Sequence, residues 1–230
     1  MQGPVRGVAG NERLTALASV VLLSLILVEL ATMPDLSAGV RLHVFVGVAF
    51  IGPLTLKLAS TGYRFLRYYG GADAFVRKGP PHLALRLLAP ALVLMTVLLV
   101  ATGLALLVVS PADPAPFEGL HNLSFVLWLP LVAVHATAYL ARLPRLLADD
   151  WRGDHATGRW SRLDLTFGAI LFGAIAAVVA VPAADPWSAP GVLTQVIPGP
   201  VVASALLTVL VLIAVRPLRW REAAPHHPDL

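Results

Sequence analysis

Apolar residues in this chain do not alternate with polar ones, as a half-buried strand would require. They come in long blocks separated by short polar interruptions. Six blocks reach the roughly 20 mostly apolar residues that a helix needs to cross the hydrocarbon core of a bilayer. They are Leu14–Met33, Val40–Ser60, Leu87–Val109, Leu120–Leu140, Leu165–Ala184 and Gln195–Val215. The third and fifth are free of charge, whereas the second and fourth carry ionisable groups. The sixth opens on Pro198 and Pro200, and Pro53, Pro90 and Pro130 lie deep enough in their helices to kink them. The expected architecture is all-α: a polytopic membrane bundle of six helices in which residues 1–230 form one integral-membrane domain. The tails and loops between the blocks are too short to hold a separate soluble domain of about 50 residues or more.

Composition agrees with the blocks. Hydrophobic residues make up 57% of the chain and charged residues 13%, with a mean hydropathy of +0.78. Soluble domains carry about 25% charged residues, so an ordinary soluble enzyme and a disordered protein are both excluded. The absence of cysteine excludes disulfides, iron–sulfur clusters held by thiolates and covalent haem attachment. The isoelectric point near 10.0 invites a nucleic-acid reading, but the positions of the charges explain it otherwise. Pro34–Val40, Pro111–Gly119 and Asp185–Val192 hold Asp35, Asp113, Glu118 and Asp185, with no lysine or arginine. The intervening connections hold Arg64, Arg67, Arg77, Lys78 and Arg86, and then Arg142, Arg145, Arg152, Arg159 and Arg162. Arg6 and Arg13 precede the first span, and Arg216, Arg219 and Arg221 follow the last. The excess of positive charge on cytoplasmic loops then places both termini in the cytoplasm, in a cell membrane such as the bacterial inner membrane. The first span has a basic flank, but its apolar run exceeds a signal peptide's and no A-x-A site follows, so it reads as a retained helix.

Ionisable residues within a span are costly, and each is a candidate for function. They are Glu29, His43, Lys57, His121 and His135, with His82 at a cytoplasmic border and His155, His226 and His227 in a loop and tail. His121 and His135 are fourteen residues apart, about 21 Å of helical rise and close to four whole turns, so they share a face. Phe125, Trp128 and Val132 lie along the stripe between them. His43, Gly47, Phe50, Leu54 and Lys57 share a face of the second span in the same way. The two spans resemble weak copies of one pattern, H-x9-P-x3-K and H-x8-P-x4-H. Both run from outside to inside, so His43 and His121 are expected at matching depth near the outer face. Two imidazoles so placed suit a flat macrocycle standing between them, with Gly47 giving it room and Phe125 and Trp128 walling it.

These residues resemble membrane b-type cytochromes of the cytochrome b and b561 kind, in which a helical bundle holds one or two haems between histidines spaced thirteen or fourteen residues apart. The resemblance covers the second to fourth spans. It implies haem b between His43 and His121, and His135 as a ligand to a second haem. Lys57 stands where the fourth family histidine would fall, which favours one haem over two; His82 is a substitute partner for His135. The implied function is an electron-transfer subunit, more than a stand-alone enzyme, exchanging electrons with a quinone or a redox partner protein. Lipid is the other partner, and nucleic acid is not one.

Other readings remain open. In one, the histidines serve only to hydrogen-bond between helices, as in a structural subunit. Alternatively, His135, Glu29 and Lys57 form a relay in a cofactor-free, proton-coupled transporter. Lys57 is expected to snorkel to the headgroups or to pair with a propionate, and Glu29 to pair with Arg41 or to be solvated. Tyr63–Tyr69 and the tryptophans Trp151 and Trp160 read as interfacial anchors. Ala169, Gly173 and Ala177, four residues apart, read as a close-packing stripe.

Overall fold

A computed structural model describes residues 7–152, 158–189, 192–193 and 198–215, and the described residues contain helices and connections but no strand. The helices are α1 (Val8–Thr32), α2 (Leu36–Ala49), α3 (Ile51–Tyr69), α4 (Asp73–Lys78), α5 (Leu83–Leu106), α6 (Phe117–Leu140), α7 (Leu143–Arg152), α8 (Arg159–Ala180) and α9 (Pro198–Val215). A 3-10 segment, Val181–Ser188, continues α8. His155, His226, His227 and the first residues of the predicted sixth span lie outside the described residues.

Four helical runs are long and apolar enough to cross a membrane: Val8–Tyr69, Leu83–Leu106, Phe117–Leu140 and Arg159–Ser188; Gly199–Ala214 is apolar but shorter. The first run folds back on itself. Pro34 cannot continue the hydrogen-bond ladder of α1, and Asp35 restarts the chain by accepting from Ala38 N–H at 3.1 Å as the N-cap of α2. The fold-back brings residues 49 positions apart together: Asn11 Nδ2 donates to the Ser60 carbonyl at 3.0 Å. The outer surfaces are greasy. Phe167 and Phe172 on α8 are 66% and 63% exposed, and α9 shows Leu206, Leu210 and Ile213 in the same way. Contiguous exposed apolar area on that scale fits a lipid environment, not water.

α2 and α3 are nearly one helix, joined through Phe50, which keeps right-handed helical angles. Pro53 explains the break: it has no N–H to give to the Ala49 carbonyl four residues back. α8 crosses at that point. A Cβ on Gly173 would run into the Ala49 oxygen, and a Cβ on Gly52 would run into the Ala169 oxygen. The small-residue stripe of α8 therefore packs within the molecule, antiparallel to α2–α3, with Ala177 fully buried beside Val48 and Ala49.

The packing divides the helices into two groups. α1, α2–α3 and α8 pack on one another, α5 and α9 pack on α6, and the two groups meet where α2 touches α5. Along the α1–α3 seam runs a ladder of polar contacts. Thr15 Oγ1 and Ser60 Oγ are 2.9 Å apart, Ser19 Oγ donates to the Thr15 carbonyl at 2.6 Å, and Lys57 Nζ donates to Ser19 Oγ at 2.6 Å. Lys57 thus does not snorkel. It turns between helices because a hydroxyl on the neighbouring helix stands within its reach.

The end of the bundle beyond this ladder is fastened by ion pairs from Glu12 to Arg64, 3.2 Å, and to Lys78, 3.3 Å. The aromatic segment expected to anchor in lipid is divided. Tyr63 packs edge-on against Phe75, which is 2% exposed, and Arg67 lies over the same ring, while Phe65 and Leu66 point outward. Trp151 and Trp160 are exposed, with Arg159 over both rings.

A candidate cofactor site between two histidines

At the opposite end, where Asp35 and Asp185 lie, the two helix groups enclose a cavity of about 620 Å³. Ligand and cofactor pockets span about 300–1,000 Å³, so the space is of cofactor size. His43 and Gly47 reach it from α2, and His121, Phe125 and Trp128 reach it from α6. Five residues singled out in the sequence thus come together at one cavity. Phe125 and Trp128 are buried, and Trp128 is held by its indole N–H, which donates to Thr96 Oγ1 on α5 at 2.9 Å.

The rings of His43 and His121 have centroids 6.3 Å apart and planes at 82°. An imidazole nitrogen bonds a transition ion such as zinc at about 2.0–2.1 Å, so two rings on opposite sides of one ion would have centroids roughly 6 Å apart. The spacing fits that arrangement.

The tautomers fit as well. His121 Nδ1 stands 3.1 Å from the Leu99 carbonyl oxygen, which can only accept, so Nδ1 carries the proton. Thr102 Oγ1, 3.2 Å from the same nitrogen, gives its own proton to the Leu98 carbonyl at 2.7 Å. His43 Nδ1 lies 3.0 Å from Glu29 Oε1 and 3.3 Å from Thr32 Oγ1. Thr32 spends its proton on the Glu29 carbonyl at 2.6 Å, so His43 Nδ1 is again the donor, to the carboxylate. In its neutral form each ring then keeps its lone pair on Nε2, the form in which a histidine coordinates a metal. A second-shell carboxylate or carbonyl on the other nitrogen is the usual way such a ligand is oriented. Among the described residues no three histidine, aspartate or glutamate side chains converge to cage a bare ion. His43 and His121 are the two imidazoles that line the cavity.

The remaining candidates fall elsewhere. Glu29 does not pair with Arg41, which instead meets Asp185 at 3.1 Å on the surface. His135 does not line the cavity; it lies further along α6 with its ring 5.0 Å from that of Tyr139, and its Nδ1 is buried without a hydrogen-bond partner. His82 sits exposed at the N-cap of α5, where its Nδ1 accepts from Ala84 N–H at 3.3 Å.

α5 is the contribution that sequence reasoning missed. It supplies Leu99 and Thr102 to the His121 ring, and Gly103, where a Cβ would meet His121 Cε1 at 3.1 Å. Thr96, Thr102 and Gly103, small or polar within an otherwise greasy run, were the available signal. The cavity is also covered: Trp187, from the 3-10 segment, lines it and donates its indole N–H to the Leu106 carbonyl at 3.1 Å. No family model, curated protein or solved structure matches the chain.

Proposed function

We propose that the chain is an integral-membrane electron-transfer subunit of the b-cytochrome type, with haem b held between His43 and His121. The supporting observation is the pair of rings 6.3 Å apart at a cofactor-sized cavity, each with its Nδ1 against an acceptor. His43 and His121 would hold the iron, Phe125 and Trp128 would wall the macrocycle and exclude water, and Gly47 lines the space beside His43. Haem b supplies a one-electron couple whose potential depends on its ligands, their hydrogen bonds and burial. One haem is favoured over two, because Lys57, the counterpart of a fourth ligand, is hydrogen-bonded to Ser19.

In this reading the fold-back run Val8–Tyr69 contributes two spans and α9 the sixth. Both termini lie in the cytoplasm and the cavity opens toward the outer leaflet, in a cell membrane such as the bacterial inner one. Electrons pass between this haem and a quinone or a redox partner protein.

The test is an absorbance spectrum of protein expressed with haem supplied. A Soret band with close to one haem per chain is expected, lost in both His43→Ala and His121→Ala but kept in His135→Ala. A colourless wild-type protein would reject the reading; unchanged haem in either of the first two variants would reject the ligand pair.

The Asn11–Thr15–Ser60–Ser19–Lys57 ladder supports a second reading, a cofactor-free proton-coupled carrier. Colourless protein whose proteoliposome uptake depends on Lys57 and His135 would favour it.

A further inference from the structure

The two histidines differ in what they donate to. His121 Nδ1–H meets a neutral backbone carbonyl, Leu99, whereas His43 Nδ1–H meets the carboxylate of Glu29 at 3.0 Å. Glu29 reaches across from α1, and its carboxylate is sheltered: the side chain is 23% exposed and Oε2 is buried with no hydrogen-bond partner. Nothing therefore competes with His43 for the carboxylate's charge among the described hydrogen bonds. The carboxylate lies close beside the α2 backbone, where a Cβ on Gly47 would be in ordinary contact with Glu29 Oε1 at 3.5 Å. A hydrogen bond to a carboxylate in low dielectric is stronger than one to a carbonyl and pulls the proton further from the ring. It makes the opposite nitrogen a stronger electron donor.

Resting on the haem reading above, we infer that Glu29 is a positioning residue: it fixes the His43 ring and lowers the reduction potential of the iron. A more electron-rich ligand and a nearby negative charge both favour the oxidised iron, which carries one more positive charge than the reduced form. The molecule thereby acquires one ordinary and one strengthened axial ligand, and Glu29 sets which redox partners it can reduce.

The experiment uses the full chain, loaded with haem b in detergent or nanodiscs. Haem stoichiometry and midpoint potential at one fixed pH are measured for wild type, Glu29→Gln, Glu29→Asp and Glu118→Gln. Glu29→Gln keeps the shape and a hydrogen-bond acceptor but removes the charge. It is expected to bind haem at wild-type stoichiometry with the oxidised form destabilised about tenfold relative to the reduced, a rise of about 59 mV for a one-electron couple. Glu118 lines the same cavity but is exposed and far more screened, so Glu118→Gln measures the effect of charge alone and should shift the potential much less. If Glu29→Gln does not retain haem, Glu29→Asp decides, with a smaller rise supporting the inference and none overturning it. Haem bound by Glu29→Gln at an unchanged or lower potential overturns the inference, as does an equal rise in Glu118→Gln. Wild-type protein that takes up no haem overturns instead the reading on which it rests.

Discussion

At the scale of single residues, the Nδ1–Cε1 edge of the His121 ring lies against Leu99, Thr102 and Gly103 of α5, and this makes Gly103 a sensitive position near the cavity. A Cβ there would sit 3.1 Å from His121 Cε1, so the ring would have to shift while bonded to the Leu99 carbonyl. Gly103→Ala is therefore expected to cost about 1–3 kcal/mol as an overpacking change and to lower the ratio of Soret absorbance to protein. Gly47→Ala adds a Cβ at an ordinary 3.5 Å from Glu29 Oε1 and should leave both nearly unchanged. Absorbance spectra and thermal unfolding of the two variants side by side check this; equal losses would contradict the geometry. The contrast also shows what could be read from the chain beforehand. His43, Gly47, His121, Phe125 and Trp128 were legible because helical periodicity places residues of one helix on one face. Leu99, Thr102, Gly103 and Glu29's hold on His43 were not, because each is a contact between helices, and periodicity within one helix says nothing about its neighbour.

At the scale of elements, the crossing of α8 over the α2–α3 junction depends on glycine at two places. The Gly52 and Gly173 backbones lie against the carbonyls of Ala169 and Ala49, where a Cβ has no room and the obstacle is main chain. Gly52→Ala and Gly173→Ala are each expected to destabilise the bundle by about 3 kcal/mol, at the top of the overpacking range, with Gly168→Ala, which would meet nothing, as the silent control. Thermal unfolding in detergent measures it, and a silent Gly173→Ala would show that the helices do not approach this closely. The four-residue spacing announced a close contact in the sequence, and Pro53 announced a break, but not that one meets the other. Lys57 was misjudged for a related reason. Thr15 and Ser19, one helical turn apart in an apolar run, are stacked by the fold-back against Ser60 and Lys57. Ser19→Ala strands a partly buried ammonium and is expected to cost about 1.5–3 kcal/mol, the range for hydrogen bonds to charged groups. Lys57→Met removes the ammonium along with its need for a partner and should cost less. The same unfolding measurement orders the two, and the reverse order would mean that Ser19 is not what satisfies Lys57.

At the scale of the whole molecule, the cavity is formed where two groups of helices meet, so it depends on the chain crossing and recrossing the membrane in the proposed order. Each histidine belongs to a different group, and they reach the same end only if α2 and α6 run in the same direction. That direction is tied to the charge pattern: the acidic turns lie at the histidine end, and the arginine-rich connections lie at the other. The argument yields a sidedness prediction that needs no cofactor. Because the chain contains no cysteine, single cysteines can be introduced without background. Ser37, Ser110 and Ser188 are exposed in the acidic turns, and Asp73 and Arg145 are exposed in the basic connections. In intact cells a membrane-impermeant maleimide is expected to label Ser37→Cys, Ser110→Cys and Ser188→Cys at once, and Asp73→Cys and Arg145→Cys only after permeabilisation. Reversed labelling of both sets would keep the bundle but turn it over, placing the cavity toward the cytoplasm. Mixed labelling within either set would break the alternation itself, and with it the common direction of α2 and α6 on which a site between His43 and His121 depends.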